Sequence, residues 1–378
     1  MINQRCIPLE SSAEWKAALE GIQHAFAHTW ENCHAMHLTT GFRSYLYCFE
    51  TKNVRIVCPI AEREFEGHID IVTPYGFSGF VGNGDCPELP QHWREFVRKQ
   101  RYVCGYIGLN PIFENQTYFD NNDLYSYNSI YVLDLRLGRD RLFSNLSKNR
   151  KRDLKQWEKT SGNLITDKNA LKAFFLANYS EFFRRKRATS AYDFRRATLE
   201  FLFELENVFI LGAGRSNRLE AATVFTYTSD IADALLHASL AEERQHSAAL
   251  LWHGANYFKS MGIPLLNLGG GIRANDSLAW FKERFGGRTL SLRCLKQIYN
   301  LEIYATLCAR VGIDPTDRTG YFPAYRSLPC RQLKSPRPSH ASRISPFSAV
   351  HQRLVASYTW VDPMLESARP FLSESMMF

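Results

Sequence analysis

The chain has 378 residues, 45% hydrophobic and 13% aromatic, which is long for one domain and comfortable for two with a sizeable core. A formal net charge of +8 favours an anionic partner: nucleic acid, a nucleotide-linked substrate or a phospholipid surface. No long uncharged apolar run offers a membrane span, and the opening MINQRCIPLESSAEWK lacks the apolar core of a signal peptide. A cytoplasmic protein without stable membrane insertion is expected. The 9 cysteines are scattered singly with no C-x-x-C pair, which points to buried structural thiols and away from a zinc site or redox dithiol. His34 and His37 follow Cys33 closely, but no carboxylate or second cysteine completes a metal-ligand set.

Taken in chain order, FRSYLYCFE, NVRIVCPIAERE and HIDIVTPYG predict antiparallel strands joined at TKN and FEG. PQHWREFVRKQ predicts a helix, and YVCGYIGLNP and SIYVLDLRL two further strands. The pattern changes near Gly138. From there RDRLFSNLSKNRKRDLKQWEKT has helical periodicity, with Leu142, Leu146, Leu154 and Trp157 near one face and Lys148, Arg152, Lys155 and Lys159 on another. DKNALKAFFLANYSEFFRRKR and RRATLEFLFELE continue as helices, and VFILGAG, LEAATVFTYTSD and IADALLHASL as strands. Ser247 is expected to cap the helix AALLWHGANYFKSM, which stops at Gly262 with Pro264 beyond. LLNL is the next strand, Gly269 to Gly271 the turn, Asn275 or Asp276 the cap of SLAWFKERF, and TLSLRCLKQIYN the last strand. No internal repeat of fixed period is visible, and the Ser/Pro/Arg-rich tail from about Arg331 is expected to be loosely ordered.

The densest chemistry surrounds the glycine turn. Leu278, Phe281 and Phe285 have the spacing of a buried stripe, and Lys282 falls at its margin. A partly desolvated ammonium there could stabilise negative charge on a reacting carbonyl oxygen. On position alone, the commoner arrangement is a lysine that lays its stem along the core and keeps its head in water. The three glycines permit a close backbone approach, yet neither G-x-G-x-x-G nor G-x-x-x-x-G-K-[ST] is present. AEERQHSAAL precedes a helix and could set backbone N–H groups and Arg244 against a phosphate. The row Lys148, Arg152, Lys155 and Lys159 suits phosphates as well, with Arg184 to Arg187 as a second basic cluster. No Ser-His-Asp or Cys-His pattern with a local signature supports covalent catalysis.

With those residues in view, HASLAEERQHSAALLWHGANYFKSMGIPLLNLGGGIRANDSLAWFKERFGG resembles the second domain of the FemABX peptidoglycan-bridge aminoacyltransferases, of the GNAT acyltransferase superfamily. The shared features are the Ser-led helix, the strand ending in glycines and the Phe-Lys-x-x-Phe-Gly run. LSKNRKRDLKQWEK is similar to the family's basic helix, and YSEFFRRKRATSAYDF places Arg185, Ala188, Tyr192 and Phe194 as the family does. TPYGFSG and GYFPAYR also resemble segments of this group, so the likeness runs from about Ile71 to Arg326.

The resemblance implies an α+β fold of tandem GNAT-like domains, with mixed central sheets flanked by helices. It implies an N-terminal domain over 1–138, an acyltransferase domain over 139–300, a segment 301–330 returning to the first domain, and the tail 331–378. The implied activity is amide formation. An acyl group would pass from aminoacyl-tRNA, the favoured donor, to a primary amine of a nucleotide-linked or other small cell-envelope precursor. Lys282 would stabilise the reacting carbonyl. Phe281, Arg185, Tyr192, Tyr75, Gly270 and Gly271 would contact substrate, and Arg244, Lys148, Arg152 and Lys155 the donor's phosphates. No metal and no tightly bound cofactor are expected. Acyl-CoA-using transferases carry a glycine-bearing loop where this chain has Ser247 and Ala249, and family members often have aspartate where it has Asn267. The coiled-coil arm of some members is missing, which leaves tRNA to the basic helices. Two rivals stand beside this reading: an acyl-CoA-dependent N-acyltransferase acting on an amino sugar or natural-product amine, and a non-catalytic RNA- or nucleotide-sugar-binding protein.

Overall fold

A computed structural model describes residues 2–160, 162–186, 192–216, 218–240 and 244–327. Ala188, the side chain of Arg244 and the tail from Arg331 lie outside the described residues. The first half runs β1 (Asn3–Pro8), α1 (Ser12–Leu19), α2 (Trp30–Thr40), β2 (Arg43–Glu50), β3 (Arg55–Phe65), β4 (His68–Val72), β5 (Val81–Gly82), α3 (Leu89–Lys99), β6 (Cys104–Gly108) and β7 (Leu124–Asp134). Two helices follow, α4 (Arg139–Asn145) and α5 (Lys148–Lys159). The second half runs β8 (Gly162–Ile165), α6 (Lys168–Arg185), α7 (Arg196–Glu204), β9 (Val208–Arg215), β10 (Arg218–Tyr227), β11 (Ala232–Ser239), α8 (Arg244–Ser260), β12 (Leu265–Gly270), α9 (Ser277–Glu283) and β13 (Arg288–Ile298), and α10 (Leu301–Arg310) closes the series.

Set side by side, and leaving aside the two-residue β5 of the first half and α9 of the second, the halves repeat one order: strand, two helices, three strands, helix, two strands. The repeat has no fixed-period echo in the residues, and only the folded elements show it. In each half, four antiparallel strands end on a parallel neighbour, β4 beside β6 and β11 beside β12. The halves then exchange their final strands. β13 lies between β6 and β7, and β7 lies against β12, so that one mixed 13-stranded sheet crosses the molecule.

Local chemistry sets the helix ends. The continuous helix expected from Arg139 to Thr160 is two: Leu146 is extended, and the Ser147 hydroxyl accepts the Arg150 N–H as the cap of α5. Thr29, Asp167, Asp276 and Asn300 cap α2, α6, α9 and α10 in the same way. Leu154 and Trp157 of α5 pack with Leu250, Leu251 and Trp252 of α8 over one sheet face. Each such side chain, fully buried, contributes about 1.5–3 kcal/mol. On α10, Tyr304, Leu307 and Cys308 pack on Val103, Cys104, Phe322 and Tyr325, which ties the chain's later segment to the first half. There the buried Asp70 carboxylate accepts hydrogen bonds from Arg63, Tyr325 and Arg326. Among the described cysteines, Cys33, Cys48, Cys58, Cys86, Cys104, Cys294 and Cys308 are buried and unbridged, as their apolar surroundings in the sequence suggested. No described helix is long and apolar enough to cross a membrane.

Candidate functional site

The site opens where two parallel strands part. β11 and β12 pair only at Ala232–Leu266 and Asp233–Asn267. Beyond that point β11 continues to Ser239, while β12 shifts register between Asn267 and Gly270 and stays with β7. Separating strands free backbone N–H and C=O groups that must find other partners, and a ligand can supply them. In the first half the corresponding end of β4 and β6 is closed by the chain itself. Ser78 bridges Leu109, Asn110 Nδ2 donates to Phe77 O at 2.8 Å, and Gly108 N donates to Thr73 Oγ1 at 3.0 Å.

The glycine turn forms one wall. Gly269 has φ +73°, a left-handed conformation that favours glycine. A Cβ on Gly270 would stand 2.5 Å from Ser129 O, and one on Gly271 2.4 Å from Asp276 Oδ1. Close packing of the chain on itself therefore accounts for both glycines. Asp276 anchors the turn by accepting the N–H groups of Ile272, Arg273 and Ala279 at 2.8, 2.9 and 2.7 Å. From α9, Lys282 reaches back over the turn, and its Nζ donates to Gly270 O at 2.6 Å. Burial pushes its pKa down to about 8, although the nearby Asp276 charge pulls the other way. At neutral pH this is a desolvated cation at the mouth of the parted strands.

The apolar stripe expected on α9 is corrected in one position. Phe285 and Ala279 are buried, Phe281 is partly buried, and Leu278 is 38% exposed beside the 52% exposed Trp280. α9 has only two turns, and they turn Ala279 inward. Phe281 lies beneath a guanidinium, with Arg150 Cζ 4.3 Å from the ring centroid, and Arg150 also pairs with Asp153 at 3.0 Å.

Asn267 links the two strands just where they part. Its Nδ2 donates to Asp233 Oδ1 at 2.9 Å, and its Oδ1 accepts the Gly269 N–H at 2.8 Å. Burial raises Asp233 to about 6, against the hydrogen bond from Asn267, which lowers it. An aspartate at 267 would set a second carboxylate against the first and remove its donor. The asparagine has a physical reason.

The opposite wall carries a group that the sequence patterns did not single out. His237 stands on β11 beyond the parting point. Its Nε2 is 3.1 Å from Ser247 Oγ, and its Nδ1 is 2.9 Å from Thr223 Oγ1. Burial pushes its pKa down to about 4, with the charges of Lys186, Lys282 and His246 adding to the effect, so the ring is neutral. Thr223 and His237 are direct partners in the β10–β11 register, a signal that the hairpin alone could have given. Ser247 does not cap its helix. α8 begins at Arg244, which places Ser247 on its first turn.

Of the remaining expected residues, Tyr75 and Tyr192 meet from opposite halves. Their hydroxyls are hydrogen-bonded, their rings lie edge to face at 5.7 Å, and the Asp276 charge acts on Tyr192. Arg185 is exposed at the end of α6 and donates to Ser239 O at 2.6 Å, at the tip of β11. Lys148, Arg152, Lys155 and Lys159 are exposed along α5. The start of α5 lies against the end of α9, where Ser147 N donates to Arg284 O at 3.0 Å. The end of α5 is fixed to the start of α8, because Trp157 Nε1 donates to His246 Nδ1 at 2.8 Å, which leaves His246 Nε2 to donate to Glu220 at 2.8 Å. Arg244 opens α8, and its side chain lies outside the described residues. A separate cleft of about 850 Å³, lined by Lys16, His24, Trp30 and Asp230, holds none of these residues.

No protein-family model and no curated protein matches the chain. Solved structures do match it. FemX superposes with a TM-score of 0.63 at 10% identity, over 80% of this chain and 99% of that one. A conserved protein of unknown function from Bacteroides thetaiotaomicron VPI-5482 gives 0.55 at 12% identity, over 79% of this chain and 100% of its own. The C-terminal domain of a putative lysylphosphatidylglycerol synthetase from Agrobacterium fabrum gives 0.53 at 12% identity, over 82% and 98%. At these identities the likeness is one of fold, and the chain has the FemX-type α+β fold, its mixed sheet flanked by helices as the sequence led us to expect.

Proposed function

We propose that the protein is an amide-forming acyltransferase that moves an acyl group from aminoacyl-tRNA to a primary amine of a cell-envelope precursor or related metabolite. The observation that carries this reading is Lys282, a desolvated ammonium tied to Gly270 O where β11 and β12 part. The sequence resemblance to aminoacyltransferases and the FemX-type fold support it. In the reaction the amine nitrogen attacks the donor's carbonyl carbon, the C–N bond forms and the ester C–O bond breaks. An ammonium has three N–H donors, and one is used on Gly270 O. Another, aimed at the carbonyl oxygen, would stabilise the charge that develops there. Alignment of amine and carbonyl in the opening supplies much of the remaining rate. The exposed basic row of α5 offers phosphate contacts to a tRNA donor, with Arg244 at the head of α8.

One observation favours the acyl-CoA reading. The 17-residue α8 is the next described element after β11, starting at Arg244 where β11 ends at Ser239, and its N-terminal N–H groups suit a pyrophosphate. Thermal-shift titrations with CoA, acyl-CoA and aminoacyl-tRNA in parallel, followed by transfer assays with the stabilising donor, separate the two. Stabilisation by aminoacyl-tRNA together with amide product supports the first reading. Stabilisation and transfer with acyl-CoA alone moves the assignment to the second. Binding of RNA or a nucleotide sugar without transfer from any donor overturns both.

A further inference from the structure

We infer that Ser247 and His237 form a proton relay that carries the proton lost by the attacking amine to the leaving oxygen. This rests on the acyl-transfer reading above. An amine that becomes an amide must give up a proton, and a protonated Lys282 cannot accept it. The carboxylates and phenols described above already have hydrogen-bond partners. Asp276 accepts three backbone N–H groups, and Asp233 is bonded to Asn267. Burial keeps the Tyr75 and Tyr192 hydroxyls protonated, and they are bonded to each other.

His237 has the geometry that these groups lack. Thr223 Oγ1 is 2.9 Å from Nδ1 and Ser247 Oγ is 3.1 Å from Nε2, so one nitrogen can donate inward while the other accepts outward. Thr223 is 2% exposed and fixed by its strand, whereas Ser247 is only partly buried, on the first turn of α8 beside the opening. Phe182 packs edge-on to the imidazole at 5.8 Å and holds the ring plane. With Nδ1–H donating to Thr223, Nε2 accepts the Ser247 O–H, and Ser247 Oγ keeps a lone pair for the amine's N–H. The C–N bond forms, the amine proton moves to Ser247 Oγ, and the serine proton moves to His237 Nε2. As the C–O bond breaks, the proton returns through Ser247 to the departing hydroxyl, and neither residue is changed. A weakly basic imidazole holds the proton only briefly, which suits a shuttle. Ser247 is the catalytic residue of the pair, and His237 is the positioning residue that acts through it.

The test uses the full chain and whichever donor the native protein accepts. Ser247→Ala should lower kcat by about 10²-fold with KM nearly unchanged, Ser247→Thr should restore most of the loss, and His237→Gln should behave like Ser247→Ala. The solvent deuterium isotope effect on kcat should be normal in the native protein and altered in Ser247→Ala. Native kcat in Ser247→Ala, with the native protein active, overturns the relay and leaves the acyl-transfer reading standing. A native protein inactive with every donor takes both down. A readout independent of turnover is the tautomer of His237 by ¹H–¹⁵N NMR. A proton on Nδ1 is expected, and a resting imidazole protonated on Nε2 overturns the relay even where His237→Gln fails to fold.

Discussion

Replacing Lys282 by Met should change turnover and leave stability nearly unchanged. In the unfolded chain the ammonium has a pKa of 10.5, and in the fold it is about 8, so burial disfavours the charged form by on the order of 3 kcal/mol. The charge-assisted hydrogen bond to Gly270 O offsets this by about 1.5–3 kcal/mol. Met fills similar apolar volume and is a good helix former, so the net change at pH 7 should lie within about 1–2 kcal/mol of zero. Turnover should nevertheless fall by roughly 10²-fold or more, the effect of removing one oxyanion donor, while substrate KM moves little. The pH dependence has a definite sign. A lysine whose folded pKa is lowered gives its full stability above 10.5 and loses it as pH falls through about 8. The parent should therefore gain stability relative to Lys282→Met as pH rises between these values. Over the same range its activity should decline as the ammonium deprotonates. Initial rates and thermal melts from pH 6.5 upward measure both. A Met variant as active as the parent would refute the reasoning and reduce the glycine turn and its Phe-Lys pair to strand-to-helix punctuation.

Other substitutions probe separate parts of the site. Arg185→Ala should raise the acceptor KM more than it lowers kcat, because the exposed guanidinium can hold a phosphate bidentately at the tip of β11; loss of soluble protein instead would make it structural. Changing Lys155 and Lys159 to Glu should flatten the salt dependence of donor binding, by about one unit of log-log slope for each phosphate no longer neutralised, and an unchanged slope would favour acyl-CoA. Asp233, raised in the fold from 3.8 to about 6, supports stability below 3.8 and withdraws it as pH rises through 6. Asp233→Asn should therefore melt higher than the parent at pH 7, by up to about 3 kcal/mol, with the difference vanishing near pH 4; no gain at pH 7 would show that the carboxylate is well solvated.

Much of the site was legible because its signals are local. The strand, glycine and cap pattern from Leu265 to Gly287 placed Lys282 beside the turn without any long-range information. Periodicity failed on α9 because two turns are too few to fix which side faces inward, and Ala279 fills the place expected of Leu278. The His237–Ser247 contact needed two facts absent from any motif, the β10–β11 register and the first residue of α8. Tyr75 and Tyr192 meet only because the halves pack together, although the resemblance had marked both. α1 and α10 are short helices whose buried stripes, Trp15, Ala18 and Leu19 in one and Tyr304, Leu307 and Cys308 in the other, hold only three residues each, too few to stand out in the sequence. The strand exchange leaves no trace in local pattern at all.

That exchange bears on how the protein can be made. The slot between β6 and β7 is one strand wide, about 9–10 Å between its walls, and is filled by Arg288–Ile298. A ribosome delivers both walls long before the filler. Until β12 and β13 emerge, β6 lacks one neighbour and β7 lacks two, and unpaired strand edges are the feature most prone to wrong pairing. Closure then depends on a pairing distant in sequence, which slows folding. Cutting the gene between β7 and β8 would leave each product without the neighbour that its inner edge requires, and the pieces should recover a native sheet only when produced together.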